Sequence, residues 1–110
     1  MKRQNIPLES VVEAKFLKEL KKYSQYKLKV RKMNGIGYRS WPDRMVLGPR
    51  RFILFIELKR PKLGKLSPGQ IDLFNEMAEL SHFVPVFTDG KIAAKFVIEK
   101  LQEYLAQIAK

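Results

Sequence analysis

The chain has no cysteine, which excludes disulfides, thiolate zinc sites and thiol nucleophiles together. Its one histidine, His82, reads as a plain loop residue and excludes a histidine-rich metal site, so any ion bound here must be held by oxygen. No stretch approaches the roughly 18 apolar residues of a membrane-spanning helix, and no charged-then-apolar leader precedes a cleavage site; an intracellular, cytoplasmic protein is expected. Met1-Lys2-Arg3 begins neither a lipidation motif nor a basic amphipathic anchor, which argues against a membrane surface as partner. Acidic residues are scarce: 11 Asp and Glu stand against 22 Lys and Arg, a formal charge of +11. That excess projects positive potential over much of the surface and favours a polyanion, nucleic acid first.

What is present suits a globular fold. With 110 residues, 45% of them hydrophobic, the chain is long enough for a real core and too short for two, so residues 1–110 are expected to form one domain. Leu8, Val12, Phe16, Leu20 and Tyr23 recur at three- and four-residue steps after Pro7 and predict an amphipathic helix. Glu13 projects between Phe16, Leu17 and Leu20, at the border of the buried face, an expensive place for a charge without a partner. Tyr26, Leu28 and Val30 alternate with Lys27, Lys29 and Arg31, the period-two pattern of a strand with one basic side. After a loop from Met33 to Trp41 containing Gly35 and Gly37, Asp43–Leu47 and Phe52–Lys59 read as two strands joined by a turn at Gly48-Pro49-Arg50. The second is nearly continuous in apolar residues, as a central strand should be. A basic loop, Pro61–Leu66, leads to Ser67-Pro68-Gly69-Gln70, a helix start with Ser as N-cap and Gln three residues on. Ile71, Phe74, Met77, Ala78 and Leu80 supply the inner face of that helix. Phe83–Phe87 reads as a short strand, Thr88-Asp89-Gly90 as a turn and Ile92–Ile108 as a closing helix, giving the order αβββαβα without internal repeats.

Chemistry concentrates on the hairpin. Residues i and i+2 of a strand share a face, so Glu57 and Lys59 stand side by side. If Leu47 pairs with Ile53, every other pair also sums to 100, and Asp43 falls opposite Glu57 on the same face. Two carboxylates so close repel unless a cation or a shared proton relieves them, and a divalent ion is the economical explanation. Mg²⁺ takes about six oxygens and usually only one or two protein carboxylates, with water and phosphate completing the shell. Asp43, Glu57, the backbone carbonyl of Leu58 and Glu13 are the candidate donors. An ion there can polarise a scissile phosphate and acidify water. Lys59 suits an electrostatic and positioning role, because a lysine pKa of about 10.4 would have to fall far for it to act as a base and the adjacent carboxylates oppose that.

The run Pro42-Asp43, then Glu57-Leu58-Lys59, followed by "GKLSPGQ" at Gly64–Gln70, with Glu13 upstream in "ESVVEAKFLKEL", resembles the PD-(D/E)xK nuclease superfamily and within it the VRR-NUC branch, especially its stand-alone phage and bacterial members. The resemblance spans roughly Leu8 to Phe87. It implies an α/β fold with an αβββαβ core, here with an additional C-terminal helix, and a central mixed sheet flanked by helices. It also implies Mg²⁺- or Mn²⁺-dependent, structure-selective cleavage of branched DNA, with minimal members resembling Holliday junction resolvases. By matching position, Glu13, Asp43 and Glu57 become metal ligands, Lys59 the residue that assists the attacking water, and Gln70 a support of the site. The family often has a small Gly two residues before the Pro-Asp pair, where this chain has Ser40-Trp41. Glu9 rivals Glu13, one turn away on the same helix side.

Blander readings stand beside these. Glu57 and Lys59 also suit a solvated ion pair, Asp43 a turn cap, Glu13 a helix-edge salt bridge, and Gln70 a capping box with Ser67. Lys29 and Arg31 on their strand, Arg39 before the site, and Arg50, Arg51, Arg60, Lys62 and Lys65 in loops are candidate phosphate contacts or solubilising charge. Tyr38 and Trp41 suit stacking on an unpaired base or a place in the core. Two functions therefore compete: a metal-dependent endonuclease, acting on four-way junctions or else on flaps or other DNA structures, and a non-catalytic basic nucleic-acid-binding protein. One site per small chain, against the two cuts that resolve a four-way junction, predicts a two-fold homodimer.

Overall fold

The computed structural model describes residues 8–33 and 40–110. Tyr38 and Arg39, and most of the glycine-bearing loop, lie outside the described residues. Helix α1 (Glu9–Leu20) buries Val12, Phe16 and Leu20, a stripe at four-residue spacing, and its lysines face outward. It tightens into a 3₁₀ segment, Lys21–Tyr26, broken at Tyr23, and Lys27 then takes a left-handed conformation (φ 52°) that turns the chain into β1 (Lys29–Lys32). The strand expected from Tyr26 thus begins three residues later. Tyr26 and Leu28 still pack on the core, from the turn instead of the sheet.

Strands β2 (Arg44–Leu47) and β3 (Ile53–Leu58) form the expected hairpin, paired Leu47↔Ile53 through Arg44↔Ile56. Its turn is a short 3₁₀ segment, Pro49–Arg51, with Arg50 and Arg51 at positive φ. Strand β4 (Val86–Phe87) adds to β3 in parallel and β1 to β2 antiparallel, so the sheet is mixed, in the order β1-β2-β3-β4. Pairing of β4 is shorter than the expected Phe83–Phe87 because Pro85 has no N–H to give; its carbonyl accepts from Glu57 N (3.0 Å).

Helix α2 (Pro68–Glu79) starts on the anticipated capping box: Ser67 Oγ accepts from Gln70 N and Gln70 Oε1 accepts from Ser67 N, both at 3.1 Å. Its inward stripe is Gln70, Phe74 and Met77; Ile71 and Leu80, read as inner residues, are 47% and 72% exposed. Gln70 takes the first inward position, so the residue one step on, at 100°, turns away from it. Helix α3 (Gly90–Ile108) begins two residues before the expected start, with Asp89 Oδ1 capping Ile92 N.

The pleat sorts the sheet into two faces. Val46, Ile56 and Leu58 lie under α1 and α3 with Phe16, Ala93, Ala94, Val97 and Ile98, and this is the core. The helices come so close that a Cβ on Gly90 would sit 2.6 Å from Phe16 N and run into the Val12 carbonyl. On the other face, Lys29 pairs with Leu47 and Arg31 with Met45, in line with Phe55 and Glu57. The architecture is αβββαβ with an added C-terminal helix. None of the helices of the described residues is long and apolar enough to cross a membrane.

Candidate metal centre

Asp43 sits one residue ahead of β2, behind a buried Pro42, and the register carries it opposite Glu57. Its N–H leaves the ladder and donates to Glu57 Oε1 at 2.9 Å, while its carboxylate oxygens each lie 3.4 Å from Leu58 N. Glu57 is only 2% exposed. Its other oxygen, Oε2, accepts from Gln70 Nε2 and pairs with Lys59 Nζ, each at 3.1 Å. A buried carboxylate offers about four lone-pair sites, and these three donors leave one of them open. Gln70 thus serves the cap through Oε1 and Glu57 through Nε2. The loop after Lys59 folds back tightly: a Cβ on Gly64 would stand 2.8 Å from both Arg60 N and Arg60 O and 2.9 Å from Lys59 Cβ, so only glycine fits.

The third carboxylate of the cluster is Glu9. Oxygens of Glu9, Asp43 and Glu57 lie within 4.8 Å of one another, close enough to share one ion. Glu13 lines the same cavity but its Oε2 is ion-paired to Arg44 Nη2, with Lys32 Nζ 3.9 Å away. Arg44, 3% exposed, also donates from Nη1 to the Asp43 carbonyl (2.9 Å) and stands 3.6 Å from Asp43 Oδ2. The geometry therefore gives Glu13 the salt bridge and sets Glu9 beside Asp43 and Glu57.

Arg44 is the site residue that sequence reasoning missed, because it hid inside a run read as apolar strand. Its signal was available: the register that sets Asp43 opposite Glu57 sets Arg44 opposite Ile56, facing the core, where a cation needs an acid. Glu13, at the edge of the same core, is that acid.

Electrostatically the centre is under-compensated. Burial, and then the Glu57 carboxylate, push Asp43 from an ordinary 3.8 up to about 7; Arg44 and the Leu58 N–H pull it down without undoing this, and Glu9 adds to the rise. The donor set is all hard oxygen, crowded and partly dehydrated, at a cavity of about 450 Å³. Those are the properties that suit Mg²⁺ or Mn²⁺.

The basic residues divide by position. Lys29 and Arg31 are exposed on the sheet face that carries Glu57 and form a cationic stripe beside the hairpin. Lys62 and Lys65 are exposed in the loop after Lys59, with Lys62 at φ 63°, and Arg60 begins that loop. Arg50 and Arg51 do not flank the site: their turn closes the opposite end of the hairpin, where the Arg50 carbonyl accepts from Tyr104 OH at 2.6 Å. Trp41 is 37% exposed just before Pro42. His82 is an exposed loop residue, edge-on to Phe55.

No protein-family model and no curated protein sequence matches the chain. A solved structure of a VRR_NUC domain does match, with 23% identity and a TM-score of 0.63, over 84% of this chain and 97% of that one. The mixed sheet, the hairpin that opposes Asp43 to Glu57 and the flanking helices together have the architecture of that domain: the chain has the VRR-NUC fold.

Proposed function

We propose that the protein is an endodeoxyribonuclease that depends on Mg²⁺ or Mn²⁺ and hydrolyses phosphodiesters in branched DNA, four-way (Holliday) junctions foremost, working as a two-fold homodimer. The observation that carries this reading is the meeting of the Glu9, Asp43 and Glu57 carboxylates within 4.8 Å, with Lys59 3.1 Å from Glu57, on a VRR-NUC fold.

Glu9, Asp43 and Glu57 would hold the ion. The Leu58 carbonyl would join them: N–H and C=O of one strand residue point to the same edge, and the Leu58 N–H points at Asp43. When bound, the ion supplies Lewis acidity to the scissile phosphate and lowers the pKa of the attacking water. The protein's own groups do the rest. Gln70 and the Asp43 N–H fix both oxygens of Glu57, so its open lone pair has one direction. Lys59, tethered to Glu57, presents an ammonium to the phosphate oxygens as their charge grows and orients water with its remaining donors. Lys29, Arg31, Lys62 and Lys65 hold backbone phosphates without reading sequence, which suits recognition of a branch by shape.

The test is cleavage of a labelled four-way junction, flap, duplex and single strand with Mg²⁺, Mn²⁺ or EDTA, by wild type, Glu57→Ala and Lys59→Ala. Wild type should cut the junction only with metal, Glu57→Ala should not cut, and Lys59→Ala should lose about 100- to 1,000-fold. Binding of the substrates with no cleavage by any form would leave a non-catalytic cationic DNA-binding protein.

A further inference from the structure

We propose that Arg44 is a built-in cation standing where a second metal ion would otherwise bind, so that the centre takes one divalent ion per chain. The inference rests on the nuclease reading above and concerns how many ions serve it. In two-ion phosphoryl centres the metals lie about 4 Å apart and stabilise both the attacking and the leaving oxygen. Here Asp43 has two carboxylate neighbours, Glu9 and Glu57, and one guanidinium neighbour, Arg44. That guanidinium joins Asp43 to Glu13: Nη2 pairs with Glu13 Oε2, while Nη1 stands 3.6 Å from Asp43 Oδ2 and 2.9 Å from the Asp43 carbonyl. Glu13, the donor a second ion would need, is engaged by Arg44 and approached by Lys32.

Charge counting agrees. The cavity holds four carboxylates (Glu9, Glu13, Asp43, Glu57) and three cations (Lys32, Arg44, Lys59), one net negative charge when all are ionised. One divalent ion and one phosphodiester bring that to neutrality. Without DNA, a second ion would raise the excess from one positive charge to three, against two for a chain lacking the Arg44 charge, in a partly dehydrated cavity where each uncompensated charge is costly. Arg44 is on this view a positioning residue: it fixes the main chain and one carboxylate edge of Asp43 and keeps Glu13 out of the ion's shell.

The experiment counts Mn²⁺ bound to the full-length chain at pH 8, by electron paramagnetic resonance of free Mn²⁺ and by calorimetry, without DNA. Wild type should bind one ion, and Arg44→Gln, which removes the charge but keeps an amide for the Asp43 carbonyl, should bind two. Two ions on the wild type overturn the inference, as does a folded Arg44→Gln that still binds one. If circular dichroism shows Arg44→Gln unfolded, the wild-type count decides. No ion on the wild type sinks the nuclease reading as well, whereas two ions on a protein that still cuts junctions sink only the role given to Arg44.

Discussion

Replacing Asp43 with Asn should stabilise the metal-free protein at alkaline pH. In the fold Asp43 titrates near 7, not at an ordinary 3.8, so the folded state holds its proton more tightly than the unfolded chain does. Its contribution to stability is therefore fully present below about pH 4, falls as pH rises through about 7, and is flat above about pH 8. At about 1.36 kcal/mol per pK unit, keeping Asp43 ionised at pH 8 costs at most on the order of 4 kcal/mol. The side chain is 21% exposed, so water recovers part of that; we expect about 2 kcal/mol in practice. Asn abolishes the charge, keeps the shape, and retains an oxygen that can accept from Leu58 N. Urea unfolding of wild type and Asp43→Asn in EDTA, from pH 4 to pH 8.5, reads the residue together with its coupling to Glu57 and Glu9, because carboxylates that do not interact with Asp43 cancel in the difference. Asp43→Asn should be the more stable at pH 8, by an amount that shrinks toward zero near pH 4. Mn²⁺ should reverse the order, stabilising wild type by RT ln(1 + [Mn²⁺]/Kd) and leaving Asp43→Asn nearly untouched. An Asp43→Asn less stable than wild type at pH 8 in EDTA, or a difference without pH dependence, would falsify the view that this centre is a cage of carboxylates short of one cation.

Four other variants test the placement of glycines and of basic residues. Gly90→Ala should cost about 3 kcal/mol in urea unfolding, because its Cβ meets main-chain atoms of α1 that have nowhere to go. Gly69→Ala, whose Cβ approaches only the rotatable Ser40 hydroxyl at 2.6 Å, should stay within about 1 kcal/mol of wild type. The double variant Lys29→Ala/Arg31→Ala should weaken junction binding and flatten the slope of log K against log [salt] by about 2, with the rate at saturation unchanged. Arg50→Ala/Arg51→Ala, at the far end of the hairpin, should change the slope by less than half as much; equal slopes would mean that DNA does not follow the β1 stripe into the site.

Much of this was legible because hairpins are discrete. Pairing Leu47 with Ile53 around Gly48-Pro49-Arg50 leaves no freedom in the partners that follow, so the opposition of Asp43 to Glu57 is readable from the sequence. The capping box of Ser67 and Gln70 was equally local, and so was the adjacency of Glu57 and Lys59. What resisted reading depended on packing between elements. The closeness of α3 to α1 shows only when Gly90 meets the backbone of Phe16. Exposure of Ile71 follows from a glutamine, not an apolar residue, occupying the first inward position of α2, and Leu80 lies past the last helical residue, as its C-cap. Periodicity rules assign such a position to a hydrophobe.

The choice between Glu9 and Glu13 shows how a local ambiguity is resolved by a distant residue. Both lie on one side of α1, one turn apart, and nothing within the helix separates them. The decision comes from the parity of the hairpin: with Asp43 on the Glu57 face, its neighbour Arg44 must point the other way, into the core with Val46 and Ile56. A buried guanidinium requires a carboxylate, and the acid that reaches the core's edge is Glu13. Once Arg44 has claimed Glu13, the acid left to approach Asp43 and Glu57 is Glu9, the member of the pair whose oxygen stands within reach of both. The same parity that brings Asp43 and Glu57 together therefore also sets which α1 carboxylate joins their cluster, through a residue outside it.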